Sequence, residues 1–222
     1  MKNYILKIAF IAAVSTSMIA CKGDAKNETD ASNAKEVATA AATATKFKVD
    51  TAGSTINWAG SKPTGTHKGT IAVESGVVKV GADAVTGTFL IDMTSINVTD
   101  LEGDQKASLE GHLKGNAEGK EDHFFNVAKY PTAAFEVTGV TEKDGKKMME
   151  GNLTMRGIKK NISFPVTYSI NGDKMQLTSE PFTINRTEWD VNYGSKSVFD
   201  NLGDKFINDD IELTVNLVAS KA

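Results

Sequence analysis

The chain has 222 residues, of which 40% are hydrophobic and 24% charged, and a formal net charge of −3. That is room for one large domain with flanking segments, and the charge balance excludes the clustered excess of Lys and Arg with which a protein grips nucleic-acid phosphates. The single cysteine, Cys21, excludes an intrachain disulfide, so a folded exported chain must draw its stability from packing.

Lys2 and Lys7 precede an uncharged stretch, residues 8–20, whose apolar centre gives way to Ser15, Thr16 and Ser17. Basic, apolar, then small is the order of a secretory signal, and the stretch is shorter than the roughly 20 apolar residues that span a bilayer. It ends in Met18-Ile19-Ala20-Cys21, which resembles the lipobox of bacterial lipoproteins. Residues 1–20 therefore read as a lipoprotein signal peptide and Cys21 as the lipid attachment site. Two or more acyl chains on one cysteine anchor stably where one chain does not. The expected location is the cell envelope, on a membrane facing the periplasm or the cell surface.

Residues 21–45 are rich in Ala, Thr, Asn, Lys and acidic side chains, with no aromatic residue and Val37 as the one branched aliphatic. Such a segment buries too little apolar area to offset its ordering entropy and reads as a flexible spacer. From residue 46 to 220 the pattern changes to period two, the mark of strands with unlike faces. Ile56-Asn57-Trp58, residues 88–93, 135–139, 148–155, 162–168, 175–178, 182–187 and 211–217 are the runs. Asp144-Gly145 and Asn171-Gly172 between runs suit type I′ hairpins, so neighbouring strands are antiparallel. The long connection 100–129 alternates weakly, and residues 105–113 suit a short helix. About eight such strands stack as a sandwich or close into a barrel, and the pattern leaves both open.

Alternation points Trp58, Phe89, Ile91, Phe135, Leu153, Phe164, Ile184 and Leu213 inward. Such a row reports core packing first and a cavity wall second. His67, His112 and His123 show no metal-ligand spacing, and His67 sits in the glycine-rich Gly65-Thr66-His67-Lys68-Gly69, read as a turn. Asp100, Glu102 and Asp104 open like a calcium loop, but Gln105 replaces the required glycine and Gly111 the bidentate glutamate, leaving a solvated acidic turn. No nucleophile elbow, phosphate loop or dinucleotide fingerprint occurs, so the residues point to no enzyme, cofactor or metal. Arg156 and Arg186 are the only arginines in a chain that otherwise uses lysine. Guanidinium favours planar bidentate pairing, either with a ligand head group at a barrel mouth or with Glu188, Asp190 or Asp200.

Four segments resemble signatures of the YceI-like, polyisoprenoid-binding family: Ser95-Ile96-Asn97-Val98-Thr99, Phe124-Phe125-Asn126-Val127-Ala128-Lys129-Tyr130-Pro131, Gly151-Asn152-Leu153-Thr154-Met155-Arg156-Gly157-Ile158 and Phe182-Thr183-Ile184-Asn185-Arg186-Thr187-Glu188-Trp189. The resemblance implies an all-β, extended, antiparallel up-and-down barrel, lipocalin-like, with one long loop or short helix. It further implies a long apolar cavity for an isoprenoid or fatty chain, held as by a carrier or reservoir. The alternative is a packed barrel serving as an interaction or stress-related module without ligand. The expected partners are that lipid and the membrane, with a homodimer left open. Two features depart from the family: the lipobox with its spacer, and Trp189-Asp190 where the family commonly pairs an aromatic residue with glycine.

Overall fold

The computed structural model describes residues 28–82 and 84–222, so Cys21 and the signal segment lie outside the described residues. Alternation has become strand almost throughout: β1 (Ser32–Asn33), β2 (Thr45–Val49), β3 (Thr55–Lys62), β4 (Gly65–Val80), β5 (Val85–Val98), β6 (Thr132–Lys143), β7 (Lys146–Met155), β8 (Ile158–Asn171), β9 (Lys174–Ser179), β10 (Phe182–Asn185) and β11 (Asp210–Lys221). The one α-helix among the described residues, α1 (Gly103–Lys114), occupies the long connection where a short helix was expected.

Every pair of neighbouring strands is antiparallel, and the sheet closes on itself. It runs from β4 through β5, β6, β7, β8 and β9 to β11, and the eighth place, between β11 and β4, is shared by β2 and β3. β3 covers one half of that gap, with Trp58 opposite Leu213 and Gly69, and β2 the other half, with Phe47 opposite Val78 and Lys221. Closure leaves the ring without a free edge, and an eight-stranded ring encloses room for side chains or one ligand.

On the other side of β11 the wall is built in halves as well. β9 pairs both β8 and β11, whereas β10 pairs β11 alone. The missing contact between β10 and the first half of β8 is supplied from the N-terminal side. Thr29 donates its N–H to Thr183 O at 2.9 Å and accepts at Oγ1 from Ser163 N–H at 2.9 Å, while Ser32 and Asn33 pair with Asn161 and Lys160. The spacer reading of residues 21–45 is thus corrected over 28–35. These residues need little apolar area to be ordered, because their backbone groups complete a sheet whose partners are already in place.

The glycine-rich stretch at 65–69 is corrected too. It opens β4, and the turn is Pro63-Thr64, with Lys62 opposite Gly65. Gly69 is there for close approach: a Cβ would lie 2.0 Å from Asn97 O and 2.7 Å from the Trp58 ring. The last hairpin turn also shifts by one residue, since Asn171 pairs with Lys174 and only Gly172 and Asp173 lie between them.

Candidate functional site

The barrel interior is a cavity of about 460 Å³. All eight apolar residues singled out by alternation, Trp58, Phe89, Ile91, Phe135, Leu153, Phe164, Ile184 and Leu213, line it. Strand register explains the convergence: Phe135 stands opposite Phe89 on one side and Leu153 on the other, so one inward row crosses β5, β6 and β7. The aromatic members continue round the wall, with ring centroids 6.5 Å apart for Phe89 and Phe135, 5.6 Å for Phe135 and Phe164, and 4.2 Å for the stacked Phe164 and Phe182. Gly151 admits this row: a Cβ would sit 2.2 Å from the Phe135 ring.

Polar lining is confined to one end. There Lys62 and His67 from the β3–β4 hairpin, His112 from α1, and Tyr193, Lys205 and Asn208 from the connection before β11 surround the opening. His112 Nε2 and His123 Nδ1 lie 2.8 Å apart, so one ring donates to the other. Tyr193 stacks on His123 at 4.0 Å, and Phe124 meets His112 edge-on at 5.1 Å. Burial, then the charge fields of His123 and Lys120, hold the His112 pKa below its ordinary value. Sequence reading passed over this aromatic cluster, although Phe124-Phe125 in an otherwise polar connection was a signal. Asp100, read as part of a solvated turn, ties the hairpin down instead. Its carboxylate accepts from Lys68 N–H at 2.9 Å and lies 2.9 Å from His67 Nδ1, and these contacts lower its pKa, the Lys68 amide most.

The two arginines part company. Arg186 lines the cavity mouth and is buried, but its guanidinium is consumed by the chain itself: Nε donates to Asn208 O at 3.1 Å, Nη2 to Ile207 O at 3.1 Å, and Nη1 to Val191 O. Asp209 Oδ1 lies 3.6 Å from Nη2, an ion pair longer than a hydrogen bond, and has no hydrogen-bond partner among the described residues. Burial lowers the Arg186 pKa, with Asp209 opposing. Arg156 does not line the cavity. It occupies the β7–β8 turn with φ of 50°, beside Gly157 at 78°, and binds Asp122 and the carbonyl of Phe124. Neither arginine pairs with Glu188, Asp190 or Asp200. Arg186 also lies past the end of β10, in a 3₁₀ turn over Arg186–Trp189 that ends on Asp190 at φ 59°. A left-handed residue there accounts for the glycine expected after the aromatic, and Asp is among the residues that tolerate it.

Among the described residues, no group of three His, Cys, Asp or Glu side chains could hold a metal. A family model described as a YceI-like domain matches residues 47–219. The chain belongs to the YceI-like family. Two solved structures share the fold of this YceI-like chain. BcnA of Burkholderia cenocepacia is 21% identical, with 78% of this chain and 99% of that chain covered and a TM-score of 0.59. A polyisoprenoid binding domain from Saccharophagus degradans, implicated in plant cell wall breakdown, is 14% identical, with 79% and 98% covered and a TM-score of 0.55. No curated protein matches the chain.

Proposed function

We propose that this YceI-like protein is a membrane-anchored binding protein, not an enzyme, that holds a long apolar chain of polyisoprenoid or fatty type inside its barrel as a carrier or reservoir. The observation that carries the reading is the cavity: about 460 Å³ walled by Phe, Ile, Leu, Val and Met, with charge only at one end. Ligand pockets of roughly 300–1,000 Å³ are predominantly apolar with a few polar groups that orient the ligand. Each methylene entering the cavity contributes about 0.8 kcal/mol, so a chain of some fifteen carbons contributes about 12 kcal/mol, which covers most of the roughly 4–15 kcal/mol range for the cost of association. The polyisoprenoid-binding description of the Saccharophagus domain supports the same ligand class. The anchor is proposed from Met18-Ile19-Ala20-Cys21 alone.

Mass spectrometry of lipids extracted from protein purified from its native membrane tests the reading. The expected result is a stoichiometric long-chain lipid. No extractable lipid, together with no uptake of a fluorescent prenyl or fatty probe by delipidated protein, would leave the packed barrel as the better account.

A further inference from the structure

The connection between β10 and β11, residues 186–209, forms one side of the cavity mouth, to which it contributes Arg186, Tyr193, Lys205, Ile207 and Asn208. Of the five large hydrophobic side chains exposed among the described residues, three fall within seven positions of this connection: Tyr193 at 37%, Val198 at 46% and Phe199 at 49%. Single exposed apolar residues are ordinary on any surface, but adjacent ones beside a ligand opening mark an interaction site. Val198 and Phe199 do not line the cavity and turn outward beside it. On either side of the pair stand Lys196, whose Nζ rests 4.5 Å over the Phe206 ring, and Lys205. Asp200 and Asp204 balance them in charge, so an attraction to this tip is apolar and not electrostatic.

The proposed lipid on Cys21 would tether the chain to a membrane within reach of this side. Glu28 bridges in parallel to Thr183, three residues before Arg186 and so about 10 Å from the mouth at strand spacing, and the chain passes this bridge running toward the mouth. Glu28 is seven positions after Cys21, a leash of at most roughly 25 Å when fully extended, longer than the distance from Thr183 to the mouth. A lipid on Cys21 would thus hold the β10 side of the barrel close to the bilayer, and the connection that leaves β10 carries the apolar tip.

We propose that Val198 and Phe199 insert into the bilayer interface and present the cavity mouth to the membrane from which the apolar chain is drawn. This deepens the carrier reading and rests on it. Lysine stems flanking a shallowly inserted apolar pair lie along the interface with their ammonium groups in water.

The test uses the full chain in vesicles of phosphatidylethanolamine and phosphatidylglycerol. With a fluorescent farnesyl probe dissolved in the bilayer, V198S/F199S should fill its cavity about tenfold more slowly than wild type, in low and high salt alike. Its equilibrium occupancy with a short, water-soluble prenyl probe should be unchanged. Equal filling rates would overturn the proposal. Docking is read separately with Phe199→Trp, whose added emission should be quenched by brominated lipid. Emission from the introduced indole that brominated lipid leaves unquenched also overturns the proposal, whatever the uptake. Quenching without probe uptake by either route would instead keep the docking and sink the cavity reading.

Discussion

Asn152 holds the backbone of Lys35 at both of its polar groups: Oδ1 accepts from Lys35 N–H at 3.0 Å, and Nδ2 donates to Lys35 O at 2.7 Å. Lys35 Nζ adds an ion pair to Glu150 at 2.8 Å, which lowers the pKa of that carboxyl. Asn152→Ala would remove both backbone bonds and one of the two bonds donated by the Asn161 amide, which keeps Thr138 Oγ1. The expected cost is about 1–3 kcal/mol. Limited trypsin digestion should spare the bond after Lys35 in wild type and cut it in the variant. Cutting at equal rates in both would show that the segment is not held.

Arg186 spends its guanidinium on three carbonyls that converge from Val191, Ile207 and Asn208. An ammonium is a point donor and cannot span them as a planar fork does. Arg186→Lys should lower stability by about 2–4 kcal/mol and Arg186→Met by about 3–5 kcal/mol, because the methionine also leaves Asp209 without its cation. Urea midpoints measure both. A lysine variant as stable as wild type would assign the fork a role other than holding the mouth together.

His112 titrates below the ordinary histidine value when folded, mainly through burial. The unfolded chain therefore binds the proton first, and stability is fully present above pH about 6.5 and declines as the pH falls from there toward the folded pKa. Thermal melts at pH 8, 6.5 and 5 should show the decline in wild type and a shallower one in His112→Gln. Parallel slopes would place the acid sensitivity elsewhere.

Ile184 is buried and faces the cavity from β10. Ile184→Trp should fill empty volume without introducing charge, leaving the circular dichroism of the barrel intact while co-purifying lipid is lost. Marked destabilisation, the usual result of adding bulk to a filled core, would argue that the site has no room for a ligand.

Cys21→Ser should abolish labelling of the chain by fatty acid and leave the precursor unprocessed. Labelling equal to wild type would remove the anchor from the proposed function.

Period two was sufficient for the inward row, because each strand has one face toward the cavity and Phe135, Leu153 or Ile184 cannot be moved to the other face without a register slip. What it could not convey is pairing by residues with no apolar signal. The start of β4 is the hydrophilic Gly65-Thr66-His67-Lys68-Gly69, in which Gly69 has no side chain because Asn97 O and the Trp58 ring occupy the space one would need. Residues 28–35 look unstructured for a related reason: their order comes from Asn152, Asn161, Ser163 and Thr183, more than a hundred positions away. The sequence also marked Arg156 and Arg186 as unusual without revealing that their partners are mostly carbonyls, which every residue carries alike.

β11 follows every other described strand and pairs with four of them, β2, β3, β9 and β10. Its contacts with Val49 and Gly60 reach back across more than 150 residues. As the polypeptide emerges from its N-terminal end, every earlier strand therefore waits with one wall of the ring missing, and closure depends on Asp210–Lys221, which appear after all the other strands. Closure through such distant contacts is slow, which prolongs the interval in which the oily inner faces stay uncovered and the chain is open to aggregation.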